Sequence, residues 1–299
     1  MLPATLNTPD EQKERLGTIP PANLVDARLE LHHALQMVAG AARCYGDEQP
    51  GDAHANLGWD DQRTALVSHP FSSGEHTIQA ALHFKDPRIA LRSTSGETLA
   101  EMPIEGRVRT ELSGWLRGQL AILGFAPARL NQERPYEMPH HPVQDGQRFL
   151  EGPLPLASEE LGHWFSMAHA VLEPIAQRES GASALRCWPH HFDIATLISF
   201  PEDAGLDPEV ARSIGVGLSP GDWTILQPYF YVLPWPAPEP MPLPALPLGR
   251  WQTDSWVGGL LEGQALLDAP GGTPAYSVQS FLDTAVAQCR SILARPERS

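Results

Sequence analysis

The sequence predicts an α+β fold, with antiparallel β-sheets flanked by about four main helices. Three observations carry this expectation. Apolar residues recur at helical spacing in four separated stretches. Between them lie short segments of alternating polarity bounded by turn residues. The strands come in runs instead of alternating one by one with helices, which speaks against a doubly wound parallel sheet or a barrel.

The first 19 residues read as a tail, carrying Pro3, Pro9 and a mixed-charge stretch. After Pro20 and Pro21 a helix is expected from Asn23 to about Tyr45, with Leu24, Leu31, Leu35, Val38 and Ala42 on its apolar stripe and Gly46 as its stop. Strands are expected over Thr64–Ser68, Thr77–Phe84, Ile89–Ser93 and Thr98–Ile104. In the second of these, Ile78, Ala80, Leu82 and Phe84 alternate with Thr77, Gln79, Ala81 and His83, the pattern of a half-buried antiparallel strand. A second helix follows from about Arg107 to Leu123, ending at Gly124.

A proline-rich connector occupies 127–156. Ser158 is then placed to cap a third helix whose face is Leu161, Trp164, Phe165, Ala168, Val171, Leu172 and Ile175. Strands are expected at Leu185–Phe200, Ile214–Leu218 and Pro228–Leu233. The seven prolines of Pro234–Leu248 read as a polyproline-like surface segment. A β segment over Trp256–Leu267 and a helix over Val278–Leu293, capped by Ser277, complete the chain. This gives a tail (1–19), a first half (20–150) and a second half (151–299), two halves of similar α-β-α order without a residue-level repeat.

Composition narrows the function classes. The 299 residues are 42% hydrophobic and 19% charged, in the globular range. The formal charge is -15, with Lys13 and Lys85 the only lysines. Such an acidic chain is a poor partner for nucleic acid or an anionic membrane. No apolar run reaches the length of a bilayer span. Cys44, Cys187 and Cys289 are odd in number and far apart, which suits a reducing, cytoplasmic setting.

Several motifs invite chemistry. Gly217-Leu218-Ser219-Pro220-Gly221 matches the hydrolase nucleophile elbow, but Pro220 lacks the N–H that an oxyanion hole needs after the serine, and no histidine follows His191. A turn accounts for the same residues. His191-Phe192-Asp193 has the H-x-D spacing of a facial-triad metal site. On a strand, the two polar side chains would share a face opposite Phe192, Ile194, Thr196, Ile198 and Phe200. A third ligand would have to come from upstream, for instance His32, His83, His141 or His169. The alternative is structural, with Asp193 accepting a hydrogen bond that fixes strand pairing. His32 and Gln36 share one helix face, whereas adjacent His32 and His33 diverge. Tyr229, Tyr231 and Trp235 share a strand face, which either lines a pocket or finishes the edge of a core. No P-loop, GxGxxG, HExxH or CxxC pair occurs, so no cofactor is indicated.

Leu31, His32 and Gln36, the turn near Ser95-Gly96, Trp188 with Phe192-Asp193, and the aromatic strand Tyr229–Pro236 occur in an order that resembles an uncharacterised bacterial family, a domain of unknown function, over roughly residues 22–295. The chain departs from the family pattern at His190-His191. The resemblance implies no reaction. It implies that His32, Gln36, Phe192 and Asp193 belong to one framework.

The function expected is small-molecule binding in a cleft between the halves. Trp188, His191, Asp193, Tyr229 and Tyr231 would line it, and His32 and Gln36 would approach from the first helix. The alternatives are an interaction or scaffold protein presenting the proline-rich segment 234–248, and a metal-dependent enzyme using His191 and Asp193. No catalytic residue is assigned, and the sequence sets no oligomeric state.

Overall fold

The computed structural model describes residues 16–130, 134–238 and 242–294. The first 15 residues of the expected tail lie outside the described residues, as do 131–133 of the connector and 239–241 of the proline-rich segment. The fold is α+β, and the twelve strands found among the described residues pair in antiparallel fashion throughout. None of the described helices is long and apolar enough to cross a membrane.

Contacts divide the chain into two units that interleave in sequence. Among the described residues, one falls within 23–162 with 186–193, and the other within 16–22, 163–185 and 194–294. The linear cut expected at 150/151 coincides with none of these boundaries. Local composition marks loops, but unit membership is set by which distant strands pair.

In the first unit, helix α1 (Val25–Tyr45) packs on a sheet made of β1 (Leu57–Asp60), β2 (Ala65–Ser68), β3 (Phe71–Ser73), β4 (His76–His83), β5 (Arg88–Ser93) and β6 (Thr98–Pro103). Helix α2 (Arg109–Ile122) follows, then α3 (Leu154–Arg178), whose first nine residues belong to this unit. The short strand β7 (Arg186–Trp188) returns much later in the chain to pair with β1, so the order is β7-β1-β2-β4-β5-β6 with β3 beside β4. On β4, Ile78, Ala80 and Leu82 are buried with Leu66, Ile89 and Leu91, but the strand is not half-buried as expected, because Ala81 and His83 on its other face are buried too. The expected stripe of α1 is fully buried. Arg28, Glu30, His32, His33 and Gln36 of the same helix are buried too, which a single apolar stripe does not foretell.

In the second unit the strands are β8 (Asp193–Ser199, of which Asp193 belongs to the first unit), β9 (Ser213–Ser219), β10 (Tyr229–Trp235), β11 (Arg250–Gln252) and β12 (Gly258–Glu262), in the order β11-β12-β10-β9-β8. The short helix α4 (Gly263–Leu267) precedes α5 (Pro274–Leu293), which packs on β9, β10 and β12.

Four expectations are corrected. The strand expected over Leu185–Phe200 is two strands, because residues 189–192 turn and Phe192 takes a left-handed φ of 61°. Helix α3 starts at Leu154, where Pro153 and Pro155 suit a first turn. Ser158 therefore lies inside it, fully buried, and donates to the Phe84 carbonyl at 2.8 Å. The segment Trp256–Leu267 bends from β12 into α4, because the distant Gln227 side chain accepts the Gln264 N–H at 2.8 Å. Helix α5 is capped by Thr273, which accepts the Tyr276 N–H at 3.3 Å, and not by Ser277; Pro274 fits the first helical position.

Pro234 also departs from expectation, since it lies within β10, opposite Ile214. It is tolerated there because β12 pairs with β10 only through Val232, leaving no partner that needs the missing N–H on that side. Farther along, Trp251 Nε1 donates to the Pro244 carbonyl at 2.7 Å and Gln288 Nε2 to that of Ala245 at 3.1 Å, which ties down the exposed proline-rich stretch.

Candidate functional site

The sequence-named histidine and glutamine of α1 converge on one atom. One helical turn apart, His32 and Gln36 both aim their Nε2 at the Pro189 carbonyl, each at 2.8 Å. Gln36 also donates to the His32 carbonyl at 3.3 Å and accepts from the Tyr136 hydroxyl at 2.7 Å. The His32 ring stacks on Phe192 with centroids 5.1 Å apart. The turn at 189–192 closes on itself, the Phe192 N–H donating to the Trp188 carbonyl at 2.7 Å. Two donors and a stacked ring thus hold a turn whose last residue is in a conformation that costs a non-glycine residue roughly 1–3 kcal/mol. Burial holds His32 neutral, its pKa pushed down to about 3 even though the Pro189 carbonyl favours the protonated form. A neutral imidazole donating to a carbonyl is no proton carrier near neutral pH; its work is to hold the turn.

The network continues outward through half-buried groups. Arg43 donates to the Tyr136 hydroxyl at 3.2 Å and grips Asp52 through Nε and Nη2 at 2.8 and 2.6 Å. Asp52 sits at a left-handed φ of 60°. His54 Nε2 is 3.7 Å from its other oxygen. His190 lies against Tyr136, Trp188 and His191, at centroid distances of 5.6, 5.9 and 4.1 Å. Burial lowers its pKa to about 4.

The H-x-D geometry read from strand periodicity does not form. His191 is in the turn and exposed, whereas Asp193 opens β8 and is 8% exposed. Alternation applies only within a strand, and the turn breaks it between the two residues. Among the described residues no three His, Cys, Asp or Glu side chains come together as a metal-holding group. Asp193 adds to the burial that raises the Cys187 thiol well above its usual pKa. Tyr229 and Tyr231 belong to the other unit, where Tyr229 packs with Ile225 and Leu260, and Tyr231 and Trp256 lean on that cluster. The Tyr229 hydroxyl donates to Asp222 at 2.7 Å. Ser219, the serine of the elbow-like motif, is 6% exposed and accepts the Gly221 N–H at 3.2 Å, as a turn serine does.

A more open site lies on the face of the first unit's sheet opposite the one that carries Ile78, Ala80 and Leu82. Ala65, Val67, Ala81 and Ala90 form a cluster of small buried residues there. Beside it is a groove of about 470 Å³, lined among others by Gly58, Asp60, His69, Gln79, Arg92 and Arg186. Asp60 is held by Arg92 at 2.8 Å and Arg63 at 3.2 Å. Burial would raise its pKa, but the two arginines outweigh burial and lower it. His69 Nε2 lies 2.8 Å from Asn56 Oδ1. Burial lowers its pKa, and so do Arg186 and His54 nearby.

Gly58 explains how Arg186 fits. The register Leu57↔Cys187 sets Gly58 opposite Arg186, and a Cβ on Gly58 would stand 2.8 Å from Arg186 Nη1. The glycine leaves the space that the guanidinium occupies.

Compared with family models, curated proteins and solved structures, the chain has no match in any of the three. The groove residues were not singled out from the sequence. Their signal is a strand face seen only once β7 is paired with β1 across about 130 residues. Tyr136 was missed for the same reason, since it meets Gln36 and Arg43 about 100 residues away, whereas Arg43 and Asp52 pair across a local loop.

Proposed function

We propose that the protein binds a small molecule, and that the binding site is the groove over Gly58 and Val67. The observation carrying this reading is a concavity of about 470 Å³ with Gly58 and Val67 in its lining and a polar, half-buried rim that includes Asp60, His69, Gln79, Arg92 and Arg186. That volume falls within the range of small-molecule sites. The His32–Gln36–Pro189 network supports the reading indirectly. Its polar atoms are engaged with one another and its histidine is neutral, so it serves as the frame that fixes the turn after Trp188. We further propose that this frame is what the chain shares with the uncharacterised bacterial family it resembles.

The test is a thermal-shift screen of polar small molecules, charged and neutral, on the wild type and on Gly58→Leu. Among the described residues, apart from its chain neighbours, a new Cβ at Gly58 meets only the flexible end of Arg186, so this variant should fold while filling the groove. Compounds that raise the wild-type melting temperature and leave Gly58→Leu unmoved are expected. A screen in which every active compound stabilises both proteins equally contradicts the assignment.

A further inference from the structure

We infer that the groove takes a ligand bearing an oxyanion, a carboxylate or a phosphate group, gripped by Arg186. This inference rests on the small-molecule reading of the same groove. Arg186 is half-buried, yet among the described residues it has no hydrogen-bond or ion-pair partner. The other arginines near the groove differ. Arg92 donates to Asp60 through Nη1, and Arg63 pairs with the same carboxylate and donates to the Gly96 carbonyl. Asp60 is therefore compensated twice over, while Asp61 is exposed and accepts from the Trp59 indole at 3.4 Å. In a chain of net charge -15, a half-buried guanidinium left without a carboxylate is conspicuous.

One further feature fits an oxyanion. Gly58 clears the space beside Arg186 Nη1, so the planar fork lies in the groove instead of being lifted off the sheet. A guanidinium fork matches carboxylate and phosphate alike, through two parallel N–H···O bonds.

Phenylglyoxal modifies accessible arginines, and mapping the adducts by mass spectrometry follows each arginine separately. Arg186 is expected to react several-fold faster than Arg92 in the whole protein. Inorganic phosphate or succinate should slow the modification of Arg186 several-fold, and butane-1,4-diol, of succinate's length but neutral, should not. Protection by phosphate alone, or by succinate alone, identifies which oxyanion the site takes, and either supports the inference. Arg186→Gln should abolish binding of the protecting anion in isothermal titration, and Arg186→Lys should weaken it about tenfold. Equal protection by the diol and the anions would overturn the oxyanion inference while leaving small-molecule binding intact. Absence of protection by either anion overturns the inference; if the screen on Gly58→Leu is also empty, the reading of the groove falls with it.

Discussion

Gln36 serves three partners at once, the carbonyls of Pro189 and His32 and the hydroxyl of Tyr136. Gln36→Leu keeps the volume and removes every one of these bonds, leaving the half-buried Tyr136 hydroxyl only its bond from Arg43. Its expected cost is about 1–3 kcal/mol in urea unfolding; a loss within error would show that the network does not hold the turn. Neighbouring residues set a pH dependence. Burial gives His32, His33 and His83 pKa values of about 3, 4 and 4. In the unfolded chain they titrate at about 6.5, so below that pH the unfolded state binds protons the folded state refuses, and stability falls as pH drops. Glu30 acts in the opposite direction. Burial raises its pKa to about 7, so between about 4.5 and 7 the folded protein keeps a proton that the unfolded chain has lost. Three histidines outweigh one glutamate, and stability should decline from pH 6.5 to 4.5. Glu30→Gln should make that decline steeper, because the opposing group is gone. A shallower decline in the variant would contradict burial of a neutral Glu30. The sequence pointed to His32 and Gln36 through their shared helix face, but their common acceptor, Pro189, is more than 150 residues away, beyond the reach of any local pattern.

The elements were legible where periodicity is unbroken. The apolar faces of α1 and α3 and the Ile78-Ala80-Leu82 face of β4 are buried as their spacing required, although Ala81 and His83 on the other face of β4 are buried as well. Elements were misread where a distant residue fixes the local backbone: the turn at 189–192 by α1, and the start of α4 by Gln227. β8 belongs to the legible group, with Ile194, Thr196 and Ile198 buried on one face. Ile198 is fully buried opposite Ile214, so Ile198→Ala should cost about 2–4 kcal/mol. A loss below about 0.5 kcal/mol in denaturant melts would remove β8 from the core. The end of β9 yields a chemical prediction. Ser219 ends β9, accepts the Gly221 N–H of the turn and is followed by a proline that has no N–H to offer an oxyanion. A fluorophosphonate probe should leave it unlabelled, and stoichiometric labelling would contradict that role.

At the scale of the whole chain, the two units interleave, with residues 186–193 returning to the unit that begins at Asn23. Those eight residues hold β7, the turn clamped by His32 and Gln36, and Arg186. A fragment ending at residue 150, where composition suggested a boundary, lacks all three. It should show no cooperative thermal transition, and a sharp melt of that fragment would contradict the division described here. The fold class was legible from the runs of strands between helices, whereas the groove was not, because its lining comes from β1, β2, β4 and β5 and its Arg186 from β7.

The central claim separates the groove that binds from the network that holds the turn. Isothermal titration of the anion that protects Arg186 into wild type, Gly58→Leu and Gln36→Leu tests it most directly. Gly58→Leu should lose binding with its melting temperature unchanged, and Gln36→Leu should bind within about twofold of wild type although it melts lower. Binding lost in Gln36→Leu and kept in Gly58→Leu would contradict the account.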